Sequence, residues 1–377
     1  IRPVAEVFDN KIFGTGYHVV AMGWAGAMGI IRNNFVHLQG VAPLARSDEY
    51  GLQCSVNGLR LTQYSGETRV YDNVLYEDNT IVVKGRDGTN SMRGVQLCSD
   101  PYVSNLHFRH NTIKTEVQDE VTPIAPCIVG QGTAASPLPI YYEDNTLITN
   151  SRHIRFGDDY GCNGNHQFRN NTLIRFGTRA HYKTIQIGYW TWNTYGNRLI
   201  DTVIGSSGVN LEDNVFSGAG RRDYSVGHSL YVVALGTGGM PIANDSLRVQ
   251  DNTGTNYRVR TDGTGLARLE LLEYAYAAAA NAQPDWASVR IAHQDHALQI
   301  DGYQSYVVDA SLFQIGNNAS SPVSLQFTAN GQPGDITPPS AVGNLVAGTP
   351  TPASLTVTWT AVGDDGSIGT ATSYDLR

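Results

Sequence analysis

The sequence predicts an all-β chain that winds over residues 1–245 into a right-handed parallel β-helix and continues in C-terminal β-sandwich modules. Three observations lead there. Segments of the form aromatic-x-x-Asn-x-aliphatic return again and again through the first two-thirds of the chain, as a solenoid requires. Between them run short apolar stretches that each end in a small residue. Glycine is abundant, 40 of 377 residues, while stretches of helical period are nearly absent, which suits a turn-rich β chain. Only the segment around Leu266 to Ala280 reads as helix.

The repeats are anchored at Asn10, Asn34, Asn79, Asn111, Asn145, Asn171, Asn197 and Asn214, mostly about 24 to 45 residues apart, one coil per repeat. An asparagine amide carries both donor and acceptor, so equivalent residues on successive coils can hydrogen-bond up and down the stack. Asparagine also tolerates the left-handed backbone of a tight corner. Phe8, Phe108, Tyr142 and Phe168, with Ile81, Ile113, Leu147 and Leu173, are expected to stack inward as the core.

The second strand of each coil is expected at HVVAMG before Trp24, YGLQCS before Val56, GVQLCS before Asp100, PCIVG before Gln131, HIRFG before Asp158, TIQIG before Tyr189 and LYVVALG before Thr237. Period-two alternation turns Gln53, Gln96, Ile128, Arg155 and Gln186 outward as a polar stripe. Just past the small residue come Trp24, Asp100, Tyr102, Asp158, Asp159, Tyr189, Trp190 and Trp192, gathering acids and aromatics along one edge.

The repeat pattern resembles the right-handed parallel β-helix superfamily, which includes pectate and alginate lyases, polygalacturonase-like hydrolases, epimerases and phage tailspikes. The resemblance covers roughly residues 1–245 and speaks for fold more than for activity. Residues 246–330, with TDGTGLARLELLEY and LQIDGYQSYVV, resemble a transthyretin-like or carboxypeptidase-regulatory β-sandwich. A Pro/Gly-rich linker spans 331–340, and SLTVTWTAVGDDG and ATSYDLR within 341–377 resemble the first strands of a bacterial fibronectin type III domain. This modular order implies an extracellular, secreted or surface-attached protein, with further domains or self-assembly expected at both ends.

The candidate catalytic constellation is His153, Arg155, Asp158 and Asp159 on one coil, Asp100 two coils earlier and Lys183 one coil later, with Trp24, Tyr189, Trp190, Trp192, Gln96 and Gln186 as substrate-binding candidates. Paired carboxylates from neighbouring coils are the equipment of glycoside hydrolysis. The Asp158–Asp159 pair resembles the double aspartate of polygalacturonase-like hydrolases, although that family's histidine-glycine and arginine-lysine motifs do not appear. A lyase instead needs a cation to neutralise a uronate carboxylate and a base to take the C5 proton. Arg155, Lys183, His153 and His181 supply such parts, and Asp100 with Asp158 and Asp159 could hold calcium through oxygen ligands. The bland reading stands beside these: Asp-Asp-Tyr-Gly as a turn, the tryptophans as packing for a loop, His18 and His228 as corner residues, and Asp364 to Gly366 of the fibronectin-like segment as a turn.

Charge excludes one partner class. Net charge is −8 and the basic residues are scattered singly, so the footprint of phosphate-backbone binding is missing. No apolar run is long enough to span a membrane. Cys54, Cys98, Cys127 and Cys162 show no CxxC spacing and read either as buried thiols or as a disulfide or stacked pair. The expected partner is a polysaccharide, acidic and uronate-containing if the protein is an enzyme; the rival expectation is a non-catalytic adhesive or structural rod.

Overall fold

The computed structural model describes residues 4–16, 21, 23–24, 28–40, 55–61, 71–85, 91–97, 103–117, 128–130, 139–156, 164–177, 183–187, 193–216, 220–278, 288–308, 312, 319–330, 342–351 and 353–360. Seven three-stranded coils follow one another: β1 (Val4–Phe8), β2 (Lys11–Gly16), β3 (Gly23–Trp24); β4 (Met28–Arg32), β5 (Phe35–Gly40), β6 (Ser55–Leu61); β7 (Tyr71–Glu77), β8 (Thr80–Gly85), β9 (Ser91–Leu97). They continue as β10 (Val103–Arg109), β11 (Thr112–Val117), β12 (Ile128–Gly130); β13 (Ile140–Glu143), β14 (Thr146–Thr149), β15 (Ile154–Phe156); β16 (His166–Arg169), β17 (Thr172–Arg175), β18 (Ile185–Ile187); β19 (Thr194–Ile200), β20 (Val203–Ile204), β21 (Asn214–Phe216). First, second and third strands stack in parallel into three separate sheets, here A, B and C, which is a parallel β-helix.

Each coil turns from sheet A to sheet B at a one-residue corner, followed by asparagine in the first six coils and by Thr202 in the seventh. The left-handed residue is the one before the asparagine, or before Thr202: Asp9, Asn33, Asp78, His110, Asp144, Asn170 and Asp201 all have φ of 54–57°. These are residue types that bear that strain best. The asparagine is thereby freed from the corner role expected of it and points inward. Asn10, Asn34, Asn79, Asn111 and Asn145 each donate Nδ2–H to Oδ1 of the next rung's asparagine at 2.9 Å, ending on Asn171. Each also donates its backbone N–H to the same oxygen at 2.9–3.1 Å. From Asn34 on, the ladder is 1–2% exposed.

Asn197 and Asn214 stand outside this ladder. Asn197 lies in sheet A beside a register irregularity and accepts from the His166 N–H, while Asn214 opens β21 on sheet C, paired with Ile185. LEDNVFSG therefore supplies a sheet C strand because Leu211 and Phe216 are its buried residues. LYVVALG, expected on that sheet, belongs to sheet A; of the strand expected at YGLQCS only Ser55, the first residue of β6, is among the described residues.

Beside the ladder, Tyr76, Phe108, Tyr142 and Phe168 stack as parallel rings 4.2–5.2 Å apart, and Leu199 continues their row. Phe8 does not join them. It sits one residue closer to its asparagine, so alternation turns it outward, 48% exposed, and Val7 takes the inward place.

Sheet A then passes into a second unit. β22 (Arg222–Leu235) continues the parallel stack with its first half, pairs along its length with antiparallel β25 (Leu266–Ala278), and β26 (Ser288–Ala292) adds beyond β25. β25 is the segment whose composition reads as helix. Pairing overrides propensity there, because Leu269 and Leu271 fill the second core while Tyr274, beyond a bulge at Val226/Gly227, packs on the solenoid core. Only glycine fits that bulge: a Cβ on Gly227 would lie 2.4 Å from the Leu271 carbonyl oxygen. The far half of β22 also pairs with β29 (Val323–Gln326), while β23 (Ser246–Gln250), β24 (Asn256–Arg260), β27 (Ala297–Gln299) and β28 (Tyr306–Val307) form a separate antiparallel sheet. Leu230, Val232, Leu247, Leu269, Leu298 and Phe327 are core residues of this unit. Further on, β30 (Val346–Ala347) and β31 (Val357–Thr358) pair with each other. Among the described residues no helix is long and apolar enough to cross a membrane.

The ladder predicts position-dependent costs. Asn111→Ala strands two donors of Asn79, and at about 1–3 kcal/mol per buried group should lower stability by roughly 3 kcal/mol. Asn10→Ala, where the amide is exposed, should cost about 1 kcal/mol or less. Urea unfolding midpoints of the two variants check the ranking.

Candidate functional site

The outward row of sheet C is fixed by strand register. Arg60 pairs with Gln96, Gln96 with Val129, Val129 with Arg155, Arg155 with Gln186, and Gln186 with Val215. Gln96, Arg155 and Gln186 thus share one row, as alternation requires. Ile128 does not: it pairs with Val95 and Ile154, both buried in the core, and Val129 takes its place in the outward row. Gln53 lies outside the described residues. Trp24 pairs with Leu61, in the row that continues through Leu97 and whose later members Phe156, Ile187 and Phe216 are core.

Arg155 and Gln186 point away from the core yet are only 3% and 6% exposed. Arg152 donates from Nη1 to Gln186 Oε1. On sheet A, by contrast, the outward Arg109 and Arg198 side chains are 42% exposed. At this level the outward side chains of sheet C are covered rather than solvated.

His153 and Lys183 have other engagements. His153 is fully buried, with Nε2 3.0 Å from the Ile174 carbonyl, and its Nδ1 has no hydrogen-bond partner among the described residues. Burial, helped by the charge of Arg175 and opposed by the Ile174 bond, lowers its pKa to about 4, so it is neutral at pH 7. Lys183 is exposed and paired with Asp213 at 2.7 Å. Asp100, Asp158, Asp159, Tyr102, Tyr189, Trp190, Trp192, His18, His181 and the four cysteines lie outside the described residues. His228, expected at a corner, lies within β22, 3.3 Å from Glu273.

Sheet A carries features that the sequence reading passed over. Its outward row next to the corner reads Phe8, Arg32, Glu77, Arg109, Glu143, Arg169 on successive rungs, alternating in sign after Phe8. Arg109 Nε meets Glu77 at 2.6 Å, and Arg169 Nε meets Glu270 of β25 at 2.8 Å. Beside it, Tyr141 has His107 stacked at 4.7 Å and the Arg169 guanidinium 5.3 Å from its ring. His107 in turn contacts Glu143 at 2.8 Å and Asn105 at 2.9 Å. The signal was available: the residue two before the asparagine alternates Arg, Glu, Arg, Glu, Arg from Arg32 to Arg169.

For a metal ion, the described residues offer Glu77, Asp78 and His110, whose ligand atoms lie within 4.8 Å of one another. Arg109 already neutralises Glu77 there. In the second unit, Asp251 meets His293 Nδ1 at 2.6 Å and accepts from Thr253 and from the Thr255 N–H. Burial pushes this carboxyl up, but those bonds win and hold it at about 2. Asp223, near β19, moves the other way: burial raises it against the Gly196 N–H and Arg221.

Set against family models, curated proteins and solved structures, the chain matches none of them.

Acid should weaken the fold in two steps. His153 resists protonation in the folded state, so the unfolded chain takes up the proton first, and stability falls as pH drops from about 6.5 to about 4, by on the order of 3 kcal/mol. Asp251, depressed from 3.8 to about 2, contributes stability that is present above 3.8 and lost as pH falls toward 2. Denaturant midpoints followed across this range should show both limbs. His153→Gln, which can still donate to the Ile174 carbonyl, should flatten the upper limb alone.

Proposed function

We propose that this is an extracellular protein that binds acidic, uronate-containing polysaccharide along the outer flank of sheet C. The carrying observation is the strand register that sets Arg155 beside Gln186 on an outward row of sheet C. A guanidinium with neighbouring amides matches a sugar carboxylate and its hydroxyls in hydrogen-bond type. In sequence, Asp158 and Asp159 come two and three residues after β15, Asp100 three after β9, and Tyr189, Trp190 and Trp192 soon after β18. Those strands are successive third strands of their coils, apart from β12 between β9 and β15. Lyase and hydrolase both stay within this proposal, since the carboxylates and the base that either would use lie outside the described residues. In this reading His153 positions β15 from inside rather than touching substrate, and Lys183 is held by Asp213. Calcium, held through Asp100, Asp158 and Asp159, belongs to the same proposal. So do the membership of the polysaccharide-active β-helix superfamily and the transthyretin-like and fibronectin-like character of the C-terminal modules.

A second reading has its own support. On sheet A the charges pair between rungs and the faces of Tyr141 are taken by His107 and Arg169, which makes that side a stiff, self-satisfied wall suited to an adhesive or structural rod.

Incubation with a panel of uronate polysaccharides, with and without calcium, separates the two. Retention on at least one polymer is expected, with absorbance from unsaturated ends where cleavage occurs. Asp158→Asn should abolish cleavage and leave the unfolding midpoint unchanged. Full activity in that variant removes the acidic pair from the mechanism, and neither retention nor product across the panel decides for the rod.

A further inference from the structure

Strand pairing in the second unit brings together basic residues that the sequence scatters. β23 lies between β24 and β27, antiparallel to both. Leu247 and Val249 of β23 and Leu298 of β27 fill the second core, and Tyr257 and Val259 of β24 pack against it. Alternation therefore turns Arg248, Arg258 and Arg260 to the opposite face, with Ser246, Asn256 and Gln299 around them. Arg248 is the register partner of Arg258, and Arg260 comes two residues further along the same strand. Directly opposed side chains start about 5 Å apart and residues i and i+2 of a strand about 7 Å apart, so three guanidinium groups share one small area. Arg258 and Arg260 are exposed and Arg248 is half-buried.

No acid answers these charges. Arg248 Nε donates to Asn256 Oδ1 at 3.0 Å and Arg260 Nε to the Asn244 carbonyl at 3.1 Å, both neutral acceptors. Among the described residues none of the three arginines forms an ion pair, and the Arg258 side chain has no partner at all. The acids nearest in sequence are engaged elsewhere. Asp245 accepts from the Ser246 N–H, Asp262 from Thr264 and the Leu266 N–H, and Asp251 is buried against His293. Other arginines of the molecule are matched: Arg109 meets Glu77, Arg169 meets Glu270, Arg221 meets Asp223 and Arg290 meets Glu212. Like charges directly opposed across a strand pair destabilise it. In a chain of net charge −8, this uncompensated positive patch is a local cost that an anion from outside removes.

We propose that the outer face of β23, β24 and β27 is a binding site for a polysaccharide carrying oxyanion groups, sulfate or carboxylate. Guanidinium forks match such groups through paired hydrogen bonds. Ser246, Asn256 and Gln299 border the arginines with a hydroxyl and two carboxamides, which suit sugar hydroxyls as donors and acceptors. Nucleic acid fits less well. Tyr257 and Tyr306, the tyrosines of this sheet, pack on the core, so among the described residues this face offers no ring on which a base could stack. The site shares no residue with the sheet C flank and does not rest on the reading given for it.

The test titrates the full chain with dextran sulfate, polygalacturonate and uncharged dextran, with polyglutamate and single-stranded DNA as the other anions. Modification of Arg258 by phenylglyoxal, read by peptide mass spectrometry, reports on the site itself. Saturable binding to at least one anionic polysaccharide is expected, with Arg258 protected by it and no binding to dextran. Arg248→Gln combined with Arg258→Gln should lower that affinity at least about tenfold. The same double variant should keep or raise the urea midpoint, because it removes a like-charge pair. Arg290→Gln, whose guanidinium Glu212 already neutralises, should change the affinity by no more than about twofold. Binding to neither anionic polysaccharide overturns the proposal. So do full affinity of the double variant for both polymers, an Arg258 that both leave unprotected, or tighter binding of polyglutamate or DNA than of either polysaccharide.

Discussion

The buried amide ladder sets the terms for the rest of the solenoid. A carboxamide in an apolar core is costly unless every donor and acceptor is met, and here the cost is avoided only if each coil places its asparagine directly over the last. Asn79 and Asn111 are 32 residues apart and Asn34 and Asn79 are 45 apart, yet both pairs close at 2.9 Å. The excess chain must therefore leave between sheets, not within the corner. Coil length is free, corner geometry is not, and the aromatic stack beside the ladder inherits its alignment.

That division explains how much could be read in advance. The repeat, its anchors from Asn10 to Asn171, and the inward positions of Phe108, Tyr142 and Phe168 follow from spacing alone, because the corner admits one register. Phe8 misleads since aromatic identity outranked distance from the asparagine; counting back three residues gives Val7. Asn197 and Asn214 carry the motif's letters but do not follow a turn from sheet A to sheet B, and the coil that holds them has Thr202 at the ladder position. The helical look of Leu266–Ala278 comes from leucine, alanine and glutamate, whereas the strand it forms is dictated by 11 register pairs with β22. Local propensity of a few tenths of a kcal/mol per residue cannot compete with that.

The site was less legible, for a related reason. Alternation assigned Arg155 and Gln186 to the outward row but misplaced Ile128 by one residue: register sets Ile128 with Val95 and Ile154, and Val129 with Arg155. It also left the fate of an outward residue open. Outward and exposed are different properties on a β-helix, because a long connection can cover what the strand turns away. Arg109 and Arg155 are both outward arginines, one 42% exposed in its side chain and one 3% exposed overall, and no feature of their strands tells them apart. His153 shows the converse, since its position beside a cluster of candidate groups in sequence says nothing about its ring facing the Ile174 carbonyl.

Stacking also limits what a solenoid flank can present to a ligand. Rungs are about 4.8 Å apart, close to the spacing of stacked rings, so an aromatic or planar side chain tends to lose its faces to the rungs above and below. Tyr141 shows this, with His107 against one face and Arg169 against the other. A ring in the middle of a sheet thus offers a ligand its edge and hydroxyl, and only a ring borne beyond the strand end keeps a face free for a sugar. The same argument applied to charge explains why Arg32, Glu77, Arg109, Glu143 and Arg169 form a wall of alternating sign: like charges one rung apart would repel at contact distance, so a charged row either alternates or recruits a counter-ion.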